Sequence, residues 1–240
     1  MKIAICFYGE MGFMDRFMIQ NLIRCLIIPF QKYSHNDKNG IKFYYFLHTY
    51  FRPDVLSWIE LMRASFPFMS ATLHDRDMVL QEKKHEDADN CMFLQHHSLH
   101  RIKKKWKVVE DLDIVVLTRL DLLFTKALTE SDIGVMLQHK RHLFLQQDTK
   151  IFLAIGSPMV INVFTDHIDH DVPENDDRFL DVIRTQHNIK IQHMSLVFVR
   201  ILPDAMVHPE DYHICPYLGD LIASSATQIR LTKRKNSLRK

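Results

Sequence analysis

The run DIVVLTRLDLLF, Asp113 to Phe124, is where residue types and spacing in this chain most plainly suggest chemistry. A continuous β-branched and aliphatic stretch reads as a buried strand. It ends by delivering Arg119 and Asp121, and nothing apolar is gained by closing a core strand in Arg-Leu-Asp. A carboxylate in that place can hold a hard divalent cation, which takes oxygen ligands, keeps several waters and bridges phosphates. Such a cation would neutralise charge building up on a departing diphosphate, with Arg119 assisting. A structural Arg–Asp pair accounts for the same spacing equally well.

Other acidic strings carry less. Asp75-Arg-Asp77, Asp87-Ala-Asp89, Asp111-Leu-Asp113 and Asp169-His-Asp171 all match D-x-D. Most fall in loops or before strands, where a solvated surface is the plain reading, and Asp75 and Asp77 stand second to Asp121. Position on a strand, rather than the string itself, favours Asp121. The 15 histidines include no H-E-x-x-H and no Cys/His cluster. His96, His97 and His100 sit on a long helix, partly exposed, and His139 and His142 on a charged surface.

Composition narrows the classes. Glycine is scarce, 6 in 240 residues, and Gly9, Gly12, Gly40, Gly134, Gly156 and Gly219 form neither G-x-x-x-x-G-K nor G-x-G-x-x-G. A phosphate-bearing ligand would therefore be held without a glycine cradle. A net charge of +2 does not argue for nucleic acid. The four cysteines are dispersed, which reads as reduced, mostly buried thiols in an intracellular, cytoplasmic setting. MKIAICFYG lacks a cleavage site, and no stretch reaches the length of a membrane span.

The elements that must position these residues alternate between strand and helix patterns. Strands are expected at Ile3 to Tyr8, Lys42 to Tyr50, Ala71 to Leu73, Ile114 on to Leu123, Leu143 to Leu145, Ile151 to Ile155 and Ile189 to Leu202. Helices are expected from Met14 to Phe30 with Pro29 near the stop, from Pro53 through Met62, and from Cys91 to Glu110. Two more begin at Ser157-Pro158 and at Asp176-Asp177. The βαβα alternation implies an α/β sandwich with a mainly parallel sheet, in which ligands lie beyond the carboxyl ends of the strands. The basic LTKRKNSLRK end reads as a solvated tail over 230–240, after a domain spanning 1–229.

Several segments, in order, resemble small nucleotide-sugar glycosyltransferases of the GT-A fold. These are the kind found in bacterial polysaccharide clusters and encoded by large algal viruses (chloroviruses). IAICFYGEMGFMDR resembles that family's first strand and nucleotide-binding turn, and YYFLHTYF its second strand, closing in a His-Thr-aromatic signature. MFLQHHSLHRIKKKWKVV is similar to the helix before the metal-site strand, and DIVVLTRLDLLF to the strand reading R-x-R-x-D-[LI]. LAIGSPMVINVF and DDRFLDVIRTQHNIKI are similar to a later strand with its Gly-Ser turn and to a helix opening on an acidic residue. Two departures stand out: Leu117 replaces the family's first Arg, and the usual pair of metal carboxylates is reduced to Asp121.

The resemblance implies an αβα sandwich with a mixed, mainly parallel sheet and a hexosyl- or pentosyltransferase activity. The sugar would pass from a UDP-, GDP- or dTDP-sugar to a hydroxyl of a glycan or glycoprotein, such as a viral capsid glycan. Tyr8, Gly9, Arg16, His48 and Thr49 would line the donor cleft. Asp121 would hold Mn2+ or Mg2+, with His208 as a late ligand ahead of His213 and His193, and Arg119 would orient the diphosphate. Asp177, beside Asp176 and Glu174, or else Asp148, would be the base of an inverting transfer. The tail could touch an anionic membrane surface. The rival readings are a catalytically inactive glycan- or nucleic-acid-binding module and a metal-dependent nucleotidyltransferase.

Overall fold

The first strand forms because its alternate side chains enter two apolar layers. Ile3, Ile5 and Phe7 join one core, while Ala4, Cys6 and Tyr8 join the other. A strand buried on both faces belongs in the middle of a sandwich, and that is its place. The computed structural model describes residues 1–10, 14–33, 40–82, 90–145, 153–168, 178–194 and 196–200.

In chain order the elements begin with β1 (Lys2–Tyr8), α1 (Arg16–Leu22), a π-helical turn (Ile23–Ile27) and α2 (Ile28–Tyr33). They continue with β2 (Lys42–Tyr50), α3 (Val55–Ser65), β3 (Ser70–His74), α4 (Arg76–Gln81) and α5 (Asn90–Trp106). Next come β4 (Ile114–Arg119), β5 (Leu122–Lys126), α6 (Glu130–Gln138), β6 (His142–Leu145) and β7 (Leu153–Gly156). The described chain closes with α7 (Pro158–Ile168), α8 (Arg178–His187), β8 (Lys190–His193) and β9 (Val197–Arg200).

Seven strands form one sheet in the order β3-β2-β1-β4-β7-β6-β8. All pairings are parallel except those of β7, which runs against both β4 and β6. Leu99, Ile102 and Trp106 of α5, Val160 and Phe164 of α7, and Ile183 of α8 cover one face. The helices from α1 to α3, together with α6, cover the other. The chain is therefore the α/β sandwich with a mainly parallel, mixed sheet that the alternation of patterns predicts. No helix among the described residues is long and apolar enough to cross a membrane.

Four local expectations change. The strand expected to run on to Leu123 bends at Leu120–Asp121, and its continuation, β5, leaves the main sheet to pair antiparallel with β9. The single strand region expected over Ile189 to Leu202 is accordingly two strands, β8 and β9, in different sheets. Pro29 does not stop its helix. Proline removes one N–H from the helical ladder, and here the carbonyl of Cys25, four residues back, accepts from the backbone N–H of Leu128 at 3.0 Å. Two short helices, α4 and α6, escaped the pattern reading. α6 opens on a capping box between Thr129 and Asp132.

The basic face of α5 is also less uniform than its sequence suggests. Lys104 and Lys107 are exposed, but Lys103 is 5% exposed, and its ammonium pairs with Asp166 of α7. A long aliphatic stem allows such a side chain to lie in a core provided its charge finds a partner. Cys6 and Cys25 are free and buried, as the dispersed cysteines imply.

Candidate active site

The parallel register sets several polar side chains in a row along the carboxyl edge of the sheet. His48 on β2 pairs with Tyr8 on β1, and Tyr8 with Arg119 on β4. Tyr50 pairs with His74 on β3. Residues in register share a face, so all five lie on the side covered by α5. Tyr8 is 1% exposed and forms part of the floor rather than the rim. Burial pushes its hydroxyl well above the usual tyrosine range, against the lowering effect of Arg119 and with the raising effect of Asp121.

At the β4 end of the row, the bend after Arg119 folds Asp121 back onto the arginine. Nε and Nη2 of Arg119 donate to the two carboxylate oxygens at 2.8 and 2.5 Å. Both side chains are mostly buried, at 16% and 12% exposure. A planar guanidinium matched to a carboxylate in this way is a rigid, mutually neutralising pair that fixes the direction of the arginine's remaining N–H groups at the sheet's edge. Each oxygen of Asp121 thereby accepts one hydrogen bond from the arginine. Among the described residues no three His, Cys, Asp or Glu side chains are grouped to hold a metal ion. Asp121 is therefore part of no three-ligand cluster among the described residues.

At the β2–β3 end sits a cluster of imidazoles. His48 is 1% exposed, with its ring 4.9 Å from that of His74 and 5.5 Å from that of His97 on α5. Its Nε2 is 2.9 Å from His74 Nδ1, and its Nδ1 is 2.7 Å from Ser98 Oγ. Tyr50 donates its hydroxyl to the carbonyl of Leu94 at 2.5 Å, so it accepts from His97 Nδ1 at 2.9 Å. His97 Nε2 in turn accepts from Arg101 Nε at 3.2 Å. Burial, reinforced by the charges of His74, His97, Arg101 and Lys105, holds His48 down to about 3. Burial and Arg101, followed by His74, His100 and Lys104, hold His97 down to about 4. His74 is lowered too, by burial and Arg101 against Glu82. Near neutral pH the cluster is therefore an uncharged set of hydrogen-bonding rings.

The remaining sequence candidates fall in different places. Gly9 closes β1 with φ +97°, a left-handed conformation natural to glycine. Arg16 is exposed at the first turn of α1. Thr49 is fully buried on the opposite face of β2, and its Oγ1 has no hydrogen-bond partner among the described residues. Asp75, the second choice for a metal, caps α4 by accepting from the N–H groups of Asp77 and Met78. Asp113 likewise accepts from the backbone of Lys2 at 2.9 Å. Asp148, Asp177 and His208, with His213, Glu174 and Asp176, lie outside the described residues, as does the 230–240 tail.

Sequence reasoning did not find Ser98, His74, Tyr50 or Arg101. Serine and tyrosine within apolar periodic segments carry no local signal, and only the packing of α5 over β2 and β3 brings them together. A groove of about 1080 Å³ on the other face, beside the π-helical turn and β5, is lined by none of the row's residues.

No protein-family model and no curated protein matches the chain. Similar solved structures include mouse xyloside xylosyltransferase 1 in its apo form, at 8% identity and TM-score 0.37, covering 80% of this chain and 84% of that one. A CMP:2-keto-3-deoxy-manno-octonic acid synthetase complexed with CTP is similar at 11% identity and TM-score 0.38, covering 80% and 88%. The glycosyltransferase GlyE of Streptococcus pneumoniae TIGR4 is similar at 12% identity and TM-score 0.37, covering 81% of this chain and 45% of that one.

Proposed function

We propose that this protein transfers a sugar from a nucleotide-sugar donor to a hydroxyl of a glycan or glycoprotein. The observation that carries this reading is the strand-terminal row itself. A fixed arginine sits beside a tyrosine and a neutral histidine across three adjacent parallel strands, at the edge where α/β sheets receive ligands. The ordered resemblance of the strand-end motifs to nucleotide-sugar glycosyltransferases supports the same choice.

In this reading the donor lies across the ends of β1, β2 and β4. Arg119, oriented by Asp121, faces the diphosphate and offsets the charge that gathers on it as the glycosidic bond breaks. Tyr8 and His48 form the floor, Thr49 backs it from the opposite face, and Gly9 and Arg16 border the donor from the first turn. The acceptor hydroxyl must lose its proton as it attacks the anomeric carbon. Asp177 or Asp148 takes that proton in an inverting transfer. No step is assigned to Mn2+ or Mg2+, since the described residues group no three metal-ligating side chains around Asp121.

A thermal-shift panel of UDP-, GDP- and dTDP-sugars, with and without manganese, tests the proposal, because a ligand bound only by the folded state raises its melting point. One donor should raise it, and Arg119→Ala should remove that rise. A rise that requires manganese would assign the cation to residues outside the described set. Absence of any rise across the panel would overturn the donor reading.

A further inference from the structure

Ser98 is fully buried in the middle of α5 and touches three groups at once. Its Oγ accepts the N–H of Gly9 at 2.8 Å, lies 2.7 Å from His48 Nδ1 and donates to the carbonyl of His48 at 3.2 Å. A hydroxyl has one proton and two lone pairs. All three contacts are satisfied together when His48 carries its proton on Nδ1. His48 Nε2 is then the acceptor, so the donor across the 2.9 Å contact is His74 Nδ1. The chain thus runs from the Gly9 backbone through Ser98 and His48 to the partly buried ring of His74.

The same turn is held a second time. Two residues beyond His74, Arg76 Nε donates to Glu10 Oε1 at 2.7 Å. Gly9 and Glu10 are therefore tied to α5 on one side and to α4 on the other. Packing does not do this work at Gly9, where a Cβ would meet nothing within 4 Å. With a left-handed φ and open space around it, the turn depends on hydrogen bonds for its conformation. The bond that the Gly9 N–H donates to Ser98 is the buried one.

We propose that Ser98 is a positioning residue for donor binding, fixing the Gly9–Glu10 turn through the Ser98–His48–His74 chain. This rests on the reading of the carboxyl edge as the donor site, where that turn borders the crevice. A turn already held in place spares the ligand the cost of ordering it. The class of ligand concerned is the nucleoside-diphosphate part of the donor, which passes the end of β1.

The test combines spectroscopy on ligand-free, isotope-labelled protein with titration of the nucleotide sugar that stabilises the wild type. Ser98→Ala should move the Gly9 amide resonance and weaken donor affinity roughly three- to tenfold, the worth of one hydrogen bond. In turnover, the loss should fall on the donor KM rather than on kcat. His74→Ala, at the least buried end of the chain and so least dangerous to folding, should act in the same direction by a smaller factor. Unchanged donor affinity in both variants would sink the proposal, as would weaker binding with an unmoved Gly9 amide. Failure of every nucleotide sugar to bind the wild type would instead remove the donor reading, and this inference with it.

Discussion

Replacing His48 with glutamine should flatten the loss of stability that acid causes in this protein. His48 is 1% exposed, and burial first, then the charges of His74, His97, Arg101 and Lys105, holds it down to about 3. An unfolded chain returns it to the ordinary histidine value near 6.5. Because the folded value lies below the unfolded one, the unfolded state binds more protons at every pH between them. Stability is therefore complete above that window and is lost as pH falls through it. At pH 5 the native ring is still neutral while the unfolded ring is almost fully protonated. With each pH unit worth 1.36 kcal/mol, this one residue costs about 2 kcal/mol between pH 7 and pH 5. His97, held down to about 4, adds to the loss in the same direction.

Urea unfolding at pH 7 and at pH 5, on wild type and His48→Gln, isolates the term. The other histidines and the carboxylates titrate in both proteins and largely cancel in the difference. The wild type should lose about 2 kcal/mol more than the variant, a sizeable part of the 5–15 kcal/mol that holds a typical domain together. Equal losses in the two proteins would mean that His48 takes up its proton in the folded state. The neutral, hydrogen-bonded cluster derived above would then be wrong.

Two further expectations concern the frame around the site. Gly156→Ala should cost about 1–3 kcal/mol, because the new Cβ lies 3.1 Å from Val160 Cγ1 and 3.2 Å from the His142 carbonyl in the middle of the sheet. Gly9→Ala meets no crowding and should cost only about 1 kcal/mol of backbone strain. Calorimetric melting of the two variants would expose an inverted order. Asp166→Ala, which takes the carboxylate from buried Lys103, should destabilise by about 1–2 kcal/mol, less than a fully buried pair because Asp166 is half exposed. Lys103→Met should be neutral or better in the same denaturation assay, and a large loss there would show the ammonium to be stabilising in itself.

The sequence by itself determined the layered α/β plan, the strand that ends in Arg119 and Asp121, and the placing of His48 at a strand terminus. These follow from local information. Strand periodicity and burial on both faces are written in consecutive residues, and a strand's carboxyl end is read directly from its direction. The same local reading could not see that β4 breaks at Leu120, because Leu122 to Phe124 is as apolar as the strand before it. Pairing with β9, more than seventy residues later, decides that break. Nor could it see that Pro29 is accommodated, since the compensating donor, Leu128, belongs to another part of the chain. The linked cluster of Ser98, His48 and His74 is tertiary in the fullest sense. His48 is 50 residues from Ser98 and 26 from His74, and Gly9 is 89 from Ser98. Ser98 and His74 are unremarked within their own segments. Strand register and the packing of α5 against the sheet bring their polar atoms within hydrogen-bond reach, and burial then makes the rings neutral.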